Sequence, residues 1–253
     1  MKAIVLAAGY ARRLYPLTRH QPKALLTVAD KPIIEHIVDK LLPIPGLNHI
    51  YVTVNDTFAP KFQKWLEGYR STKAGAWDNT ISNSSIEDSE NVGAIGSLHQ
   101  VLTRERVDDD IIIIAADNLF SCEIESFAAS AQQQGAPVVA IYDIGDHVEG
   151  KKYGCVVVDE IGKITHFEEK PKIPNGTTIG VALYYYPKSC LPLIRQYIDE
   201  GKDPEHIGLL VEWMHRHTPF YTWRVPSPWF DIGSIEMLEE ANRFFVRAYK
   251  GKA

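Results

Sequence analysis

The sequence predicts an α/β fold of three α/β/α layers, in which helices cover a mixed, mostly parallel sheet. Two observations in the 253 residues support this fold class. In the first half, short apolar runs rich in β-branched residues alternate with segments that repeat apolar residues at helical spacing. In the second half, an antiparallel hairpin interrupts this alternation. The predicted fold therefore carries a β-rich insertion.

The first half contains four apolar runs that are typical of strands buried on both faces. These runs are 3–8, 49–55, 110–116 and 137–144. Amphipathic helical patterns lie between them. The predicted helices are 32–42, 60–69, 97–105 and 122–134. Because strand and helix alternate, we expect parallel strands joined by helical crossovers.

The second half begins with the hairpin. Residues 155–159 and 163–167 are predicted strands on either side of a turn that contains Gly162. The later elements are a strand at 178–186, helices at 188–200 and 207–217, a strand at 221–225 and an amphipathic helix at 235–249.

Composition excludes several classes of partner. The net charge is −5, and no basic run is longer than Arg12-Arg13, which argues against nucleic acid. No apolar stretch approaches the length of a membrane span, so we expect no membrane partner. The three cysteines are odd in number and widely spaced, which fits free thiols in a reducing compartment. We therefore expect a cytoplasmic protein.

The loop after the first predicted strand contains small residues and is followed by two cations. Small residues allow backbone N–H groups to approach a ligand, and Arg13 and Lys23 add positive charge. This pattern predicts a triphosphate site, although Ala7-Ala8-Gly9 alone fits a tight surface turn equally well. A P-loop string is absent, and only Gly9 of a dinucleotide fingerprint is present.

Two aspartates are candidate metal ligands. Asp117 follows the run 111–114, at the carboxyl end of a predicted strand, where a turn or helix cap is the alternative interpretation. Asp231 lies among apolar neighbours in 229–233, where an unpaired carboxylate is costly to bury. Magnesium is often held by one or two carboxylates together with substrate phosphates, so the pair predicts a Mg²⁺ site.

These segments resemble the sugar-1-phosphate nucleotidyltransferases, a family that includes glucose-1-phosphate thymidylyl- and uridylyltransferases. The family loop usually reads L-A-A-G-x-G-[ST]-R-L, and residues 16–18 and 22–23 extend the match. Asp231 lies in the family's W-x-D-I-G context, and residues 168–171 read E-E-K-P. The chain departs at Ala11 and Arg12. The alanine at position 11 predicts that the loop needs no left-handed backbone at this residue. We expect Arg12 to face solvent, and an additional phosphate contact is the alternative.

The resemblance implies a Rossmann-like fold and a role for each matched residue. Arg13 would bind the β- and γ-phosphates, Lys23 the phosphates at the reacting centre, and Asp117 and Asp231 the Mg²⁺. The backbone contacts implied for the nucleotide are at Leu6, Ala8, Gly9 and, in the loop 91–98, at Gly93. The residues implied for the sugar phosphate are Gly154, Glu169, Lys170 and Gly180.

Singly, these features of the sugar-phosphate group have other interpretations. A run such as 168–171 is often a solvated loop, and glycines within strands often mark strand ends or bulges. A carboxylate nevertheless suits sugar hydroxyl groups, because it accepts hydrogen bonds without competing donors. Lys170 supplies the charge for the phosphate.

The expected function is Mg²⁺-dependent transfer of a nucleotidyl group from a nucleoside triphosphate to a sugar-1-phosphate. By family frequency the pair is a hexose-1-phosphate with dTTP or UTP. Alternatives are a cytidylyl- or guanylyltransferase acting on another phosphorylated alcohol or sugar, a glycosyltransferase, and a non-catalytic homologue. We expect one domain, 1–253, with a nucleotide-binding half of about 1–135, a sugar-phosphate half of about 136–233 and the helix 235–249. A homo-oligomer is possible.

Overall fold

The computed structural model describes residues 1–72, 81–86 and 92–251, and for 84–86 it describes the backbone alone. The chain divides into two compact units. The N-terminal unit comprises 2–88, 114–125 and 227–253, and the central unit comprises Met1, 89–113 and 126–226. Each unit is described by itself.

Parallel strands form the core of the N-terminal unit. Lys2–Leu6 pairs with His49–Asn55, which pairs with Ile81–Ile86, and both ladders are parallel. The first strand is apolar and fully buried at its centre, with Ala3, Ile4 and Val5 at 0% exposure. The predicted strands 3–8 and 49–55 are therefore confirmed, as Lys2–Leu6 and His49–Asn55.

The helices of the N-terminal unit bury the apolar stripe that the sequence predicts. They are Ile33–Leu41, Ala59–Thr72 and Ile235–Lys250. The first of them buries Ile33, Ile34, Ile37, Val38 and Leu41, a spacing of one helical turn. The last begins where the Ser234 side chain accepts a hydrogen bond from the Met237 N–H at 3.3 Å.

Short elements complete the N-terminal unit. Two turns of 3₁₀ helix, Arg12–Leu14 and Lys23–Leu25, follow the first strand. Asn118–Phe120 pairs antiparallel with Trp229–Asp231, and Thr27–Val28 pairs with Lys31–Pro32. These strands of two or three residues are too short for a periodic pattern in the sequence, so none was predicted.

The central unit contains the predicted hairpin. Gly154–Val158 and Ile164–Glu169 pair antiparallel on either side of Gly162, whose φ of +79° requires the left-handed conformation that glycine tolerates. Further antiparallel ladders join Thr178–Tyr186 to Gly154–Val158 and to Val138–Asp143. Tyr221–Arg224 pairs parallel with Val138–Asp143.

The helices of the central unit are Gly93–Arg104, Glu125–Gln134, His147–Gly150, Leu191–Asp199 and Ile207–Met214. The first residue of the second helix, Glu125, is still assigned to the N-terminal unit, whose segment 114–125 ends there. The predicted helix 188–200 is divided into a 3₁₀ turn, Lys188–Cys190, and a helix with Pro192 in its first turn. Strand Ile111–Ala115 belongs to the central unit up to residue 113 and to the N-terminal unit beyond it.

The α/β class with a mixed sheet is confirmed. Besides the short strands, the longer strand Ile81–Ile86 was missed because its sequence is polar in its four middle positions and lacks an apolar pattern. All three cysteines have free thiols, and Cys155 and Cys190 are buried. The predicted division into two sequential halves stays a prediction. Within the part of the chain that the structure describes, no helix has both the length and the apolar character of a membrane span.

Candidate active site

Two buried polar side chains hold the beginning of the loop that follows the first strand. The Ala7 N–H donates to Thr53 Oγ1 at 2.9 Å, and Asn55 Nδ2 donates to the Ala8 carbonyl at 2.8 Å. Thr53 and Asn55 are 0% and 3% exposed, on alternate positions of one strand. Neither residue was assigned a role from the sequence, although two polar residues two positions apart in a largely apolar strand were an available signal.

The rest of the loop is open to solvent at the positions predicted to bind phosphate. Gly9 and Arg13 are exposed, and a methyl group at Gly9 would have no neighbour within 4 Å. Arg12 is exposed, as predicted. Leu14, at 1% exposure, anchors the far end of the loop in the core. The contacts of Leu6, Ala8, Gly9 and Arg13 with a nucleotide stay predictions.

The expectation for Ala11 was wrong. Its φ and ψ are +49° and +46°, in the left-handed region. The turn is held there because the Ala11 carbonyl accepts hydrogen bonds from Thr18 Oγ1 at 2.8 Å and from the Leu14 N–H at 3.0 Å. A left-handed alanine costs about 1 kcal/mol, so the glycine of the family pattern is the better residue for this backbone.

We expect Ala11→Gly to stabilise the protein by about 0.5–1 kcal/mol, because relief of the left-handed alanine exceeds the added entropy of an unfolded glycine. Urea unfolding measures the difference. Ala11→Val is the matched variant of opposite sign, since a β-branched residue is still less tolerant of positive φ. A glycine variant less stable than the wild type would contradict this account of the loop.

Lys23 lies between two oxygen atoms of other segments. Its Nζ donates to Asp117 Oδ2 at 2.5 Å and to the Ile232 carbonyl at 2.8 Å. The side chains of Lys23 and Asp117 are 18% and 28% exposed, so this ion pair is reached by solvent. Two of the predicted charged groups are therefore brought together.

A two-stranded sheet aligns Asp117 with Asp231. Asp231 is the register partner of Asn118, and the Ile232 N–H donates to the Asp117 carbonyl at 2.9 Å. Asn118 Nδ2 donates to Asp117 Oδ1 at 2.8 Å, while Trp229 Nε1 donates to Asn118 Oδ1 at 2.8 Å. The two aspartates thus lie at the same end of this sheet. Asn118 and Trp229, which sequence analysis did not assign, fix the orientation of the Asp117 carboxylate.

The chemistry of this group fits Mg²⁺. Its donors are carboxylate and carbonyl oxygens, which this ion prefers, and the Lys23 ammonium shows that Asp117 already accepts a cation. Among the residues that the structure describes, no cluster of three or more His, Cys, Asp or Glu side chains could hold a metal. Two carboxylates leave coordination positions for substrate and water, as a catalytic Mg²⁺ site needs.

The predicted sugar-phosphate group lies at the end of the hairpin in the central unit. Glu169 is the register partner of Gly154, and the Lys170 N–H donates to the Tyr153 carbonyl at 3.0 Å. Lys170 has a φ of +50°, which is uncommon for a residue other than glycine. Its left-handed backbone turns Lys170 away from the strand, and its side chain is exposed.

Helix Ile207–Met214 packs against this group and was not assigned a role from the sequence. The Glu169 carboxylate lies directly against Gly208, where any side chain would collide with it. Glu212 Oε2 accepts a hydrogen bond from the Glu169 N–H at 2.9 Å, and Arg216 lies 3.5 Å from Glu212 Oε1. Gly208 and Glu212 are one helical turn apart, so one face of the helix supports Glu169.

Burial raises the pKa of Glu169 from its ordinary 4.5 to about 7. The Lys170 ammonium opposes this shift, and the neighbouring Glu212 carboxylate adds to it. Near neutral pH the carboxyl group therefore exists in both protonation states.

We expect the free energy of unfolding to fall as pH rises from about 4.5 to about 7. The folded protein keeps the Glu169 proton over this window while the unfolded chain releases it, and the pKa difference between 4.5 and about 7 corresponds to at most about 3 kcal/mol. Glu169→Gln should remove this contribution and make the variant more stable than the wild type at pH 8 but not at pH 4.5. Urea unfolding at both pH values checks it. Glu168→Gln, on the exposed neighbour, is the control, and an equal pH slope in wild type and Glu169→Gln would contradict the shift.

Gly154 and Gly180 both face the Phe167 ring. A methyl group at Gly154 would collide with the ring, and one at Gly180 would lie 3.1 Å from Phe167 Cε2. Phe167 is 1% exposed. Ring packing therefore explains both glycines, and their contacts with a sugar stay predictions.

Gly93 begins helix Gly93–Arg104 with a φ of +59° and lies directly against the Pro204 carbonyl. The next two N–H groups donate to the Glu205 and Pro204 carbonyls at 3.0 and 2.9 Å. Packing of this helix start against 204–205 thus explains the glycine. The contact with a nucleotide stays a prediction, and Asn91, in the same predicted loop, lies outside the described residues.

Comparisons with known proteins identify the family of the chain. The model of the nucleotidyl transferase family matches residues 2–247. The UTP–glucose-1-phosphate uridylyltransferase of Synechocystis sp. is 27% identical over 242 residues, which cover 93% of this chain and 61% of that protein. The bifunctional protein GlmU of Methanocaldococcus jannaschii is 25% identical over 247 residues, which cover 97% and 54%. The mannose-1-phosphate guanylyltransferase catalytic subunit beta of Dictyostelium discoideum is 26% identical over 259 residues, which cover 100% and 66%.

A solved UDP-glucose pyrophosphorylase in complex with UDP-glucose superposes with a TM-score of 0.82 over 98% of both chains at 20% identity, which supports the fold alone. The chain spans 54% to 66% of the length of the three curated relatives named above. The family match over residues 2–247 nevertheless covers nearly all of the 253 residues, and the chain belongs to the nucleotidyl transferase family.

Proposed function

We propose that this protein transfers a nucleotidyl group from a nucleoside triphosphate to a sugar-1-phosphate and releases pyrophosphate. The observation that carries the proposal is the position of Lys23, whose ammonium lies between the Asp117 carboxylate and the carbonyl of Ile232, next to Asp231. A triphosphate site needs a protein cation and carboxylates for a metal, and this group supplies both.

The N-terminal unit supplies the groups for the triphosphate. The loop held by Thr53 and Asn55 offers backbone N–H groups, and the exposed Arg13 guanidinium can pair with phosphate oxygens in a bidentate manner. Lys23 can exchange the Asp117 carboxylate for a phosphate oxygen when the triphosphate binds. Asp117 is then available to another cation.

Asp117 and Asp231 are the residues that would hold Mg²⁺. When bound, Mg²⁺ neutralises phosphate charge and lowers the repulsion between two anionic substrates. Asn118 keeps the Asp117 carboxylate in a single orientation through its 2.8 Å hydrogen bond, so the site is preorganised by the protein.

The central unit supplies the groups for the sugar-1-phosphate. Lys170 would pair with the phosphate and Glu169 would accept hydrogen bonds from sugar hydroxyl groups. A phosphate oxygen then forms a bond to the α-phosphorus as the bond to the β-phosphate breaks. A phosphate monoester is already ionised near neutral pH, so the chain needs no general base and acts by positioning and charge.

The named relatives differ in both substrates. They include a glucose-1-phosphate uridylyltransferase and a mannose-1-phosphate guanylyltransferase. Within this range we propose a hexose-1-phosphate with dTTP or UTP. The cytoplasmic location and the homo-oligomer stay predictions.

A substrate matrix tests the function. ATP, GTP, CTP, UTP and dTTP are each combined with a panel of sugar-1-phosphates and Mg²⁺, and pyrophosphate release is measured with and without EDTA. We expect release from a restricted set of pairs, dependent on both substrates and abolished by EDTA. No sugar-dependent release in any combination would contradict the proposal.

A further inference from the structure

His206 forms a pair with Lys170 at the surface of the central unit. The residue immediately precedes helix Ile207–Met214, and its Nε2 lies 2.7 Å from Lys170 Nζ. An ammonium group can only donate hydrogen bonds, so the imidazole accepts through Nε2 and is neutral in this pair. The His206 side chain is 38% exposed and Lys170 is exposed, so an anion from solvent can reach both.

The surrounding structure holds this pair in place. Lys170 has a positive φ and its N–H donates to the Tyr153 carbonyl, which fixes the backbone from which its side chain extends. His206 is held by the helix that it precedes, whose Gly208 and Glu212 both contact Glu169. His206 therefore precedes the same helix whose Gly208 and Glu212 support the Glu169–Lys170 turn.

We propose that His206 is a second phosphate-binding residue of this group, and that it takes up a proton when the sugar phosphate binds between it and Lys170. The inference rests on the proposed function, which assigns the phosphate to Lys170. The only bond that forms is Nε2–H, its proton comes from solvent, and no bond between heavier atoms changes. In the bound state Nε2 donates to a phosphate oxygen instead of accepting from Lys170.

The charges around His206 determine the direction of this change. Without substrate, the Lys170 ammonium opposes a second positive charge at 2.7 Å, whereas Glu205, whose Oε1 lies 3.9 Å from Nε2, favours it. Glu169 lies next to Lys170 in the chain, and the Glu212 carboxylate accepts a hydrogen bond from the Glu169 backbone N–H, so both acidic groups also favour positive charge in this region. A phosphate dianion outweighs the ammonium, so binding raises the His206 pKa. The pair should therefore select a doubly charged phosphate monoester over singly charged or neutral sugars.

Nuclear magnetic resonance of ¹⁵N-labelled histidine tests the proton directly. The chain has 9 histidines, and the His206 ring signal is assigned by its loss in His206→Gln. Titrations of pH are recorded alone, with glucose 1-phosphate, with inorganic phosphate and with glucose. We expect both phosphates to raise the His206 pKa by about one unit and glucose to leave it unchanged. Identical titrations in all four samples, or a shift with glucose, would overturn the proposal.

Kinetics give an independent test. We expect His206→Ala and His206→Gln to raise KM for the sugar phosphate about tenfold, because each variant loses one charge-assisted hydrogen bond to the phosphate. KM for the nucleotide should change less than about twofold. His217→Gln, on an exposed histidine just beyond the same helix, is the matched control and should change neither. Equal effects of His206 variants on both substrates would contradict the proposal.

The two proposals can fail separately. A phosphate-dependent His206 shift without pyrophosphate release in the substrate matrix would contradict the proposed function and leave the phosphate site standing. Sugar-dependent turnover with an unchanged His206 pKa would contradict the phosphate site at His206 and leave the proposed function standing.

Discussion

Pyrophosphate release should fall at least about 1,000-fold when Asp117 is replaced by Asn, which corresponds to about 4 kcal/mol of transition-state stabilisation. Asp117 is a proposed Mg²⁺ ligand, and its carboxylate also accepts hydrogen bonds from the Lys23 and Asn118 side chains. An amide keeps the size of the side chain but removes the charge that holds a divalent cation. The measurement is pyrophosphate release at saturating substrates over a Mg²⁺ titration.

The fold should persist in this variant. Lys23 keeps the Ile232 carbonyl at 2.8 Å as a partner, and solvent reaches both members of the ion pair. Because the pair is partly buried, its loss should cost no more than about 2 kcal/mol, and the variant should unfold at a lower urea concentration but still fold. A folded and inactive variant separates a catalytic role from a structural one.

Asp231→Asn should lower the activity to a similar degree, because the two aspartates are proposed to share one ion. Asp108→Asn is the matched control. This aspartate is 76% exposed and pairs with Lys188 at 2.7 Å, and its loss should leave turnover unchanged. Full turnover in either purified Asp117→Asn or Asp231→Asn would refute the metal assignment.

The positions of these charged residues were predictable from sequence because each follows a strong pattern. The run of four isoleucines before Ala115 requires a buried strand, and Asp117 follows at its carboxyl end. The hairpin was recognisable because Gly162 separates two β-branched runs, which carries Glu169 and Lys170 to the end of its second strand. Local sequence was sufficient in both cases.

The partners of the supporting residues were not predictable, because they lie far along the chain. Thr53 bonds to Ala7, 46 positions away, and Glu212 bonds to Glu169, 43 positions away. No periodic pattern reports such pairings. The left-handed backbone of Ala11 was not predictable either, because a hydrogen bond from the Thr18 hydroxyl stabilises a conformation that alanine by itself disfavours.

Lys170→Ala should raise KM for the sugar-1-phosphate about 100-fold and change KM for the nucleoside triphosphate less than about threefold. One ammonium can donate two charge-assisted hydrogen bonds to a phosphate, each of about 1.5 kcal/mol or more, so both together account for this factor. Steady-state kinetics with each substrate varied in turn measure the two constants. The variant keeps the Lys170 N–H that binds the Tyr153 carbonyl, so the turn should be retained.

Two further variants separate charge from backbone at this position. Lys170→Gly removes the charge and places at this φ of +50° a residue that tolerates it. If the charge determines binding, the KM of this variant for the sugar phosphate should match that of Lys170→Ala. Lys172→Ala removes an exposed cation two residues away and should leave both constants unchanged. A glycine variant with wild-type KM would show that the turn, not the ammonium, determines binding. Equal increases for both substrates in Lys170→Ala would contradict the assignment of this residue to the sugar phosphate.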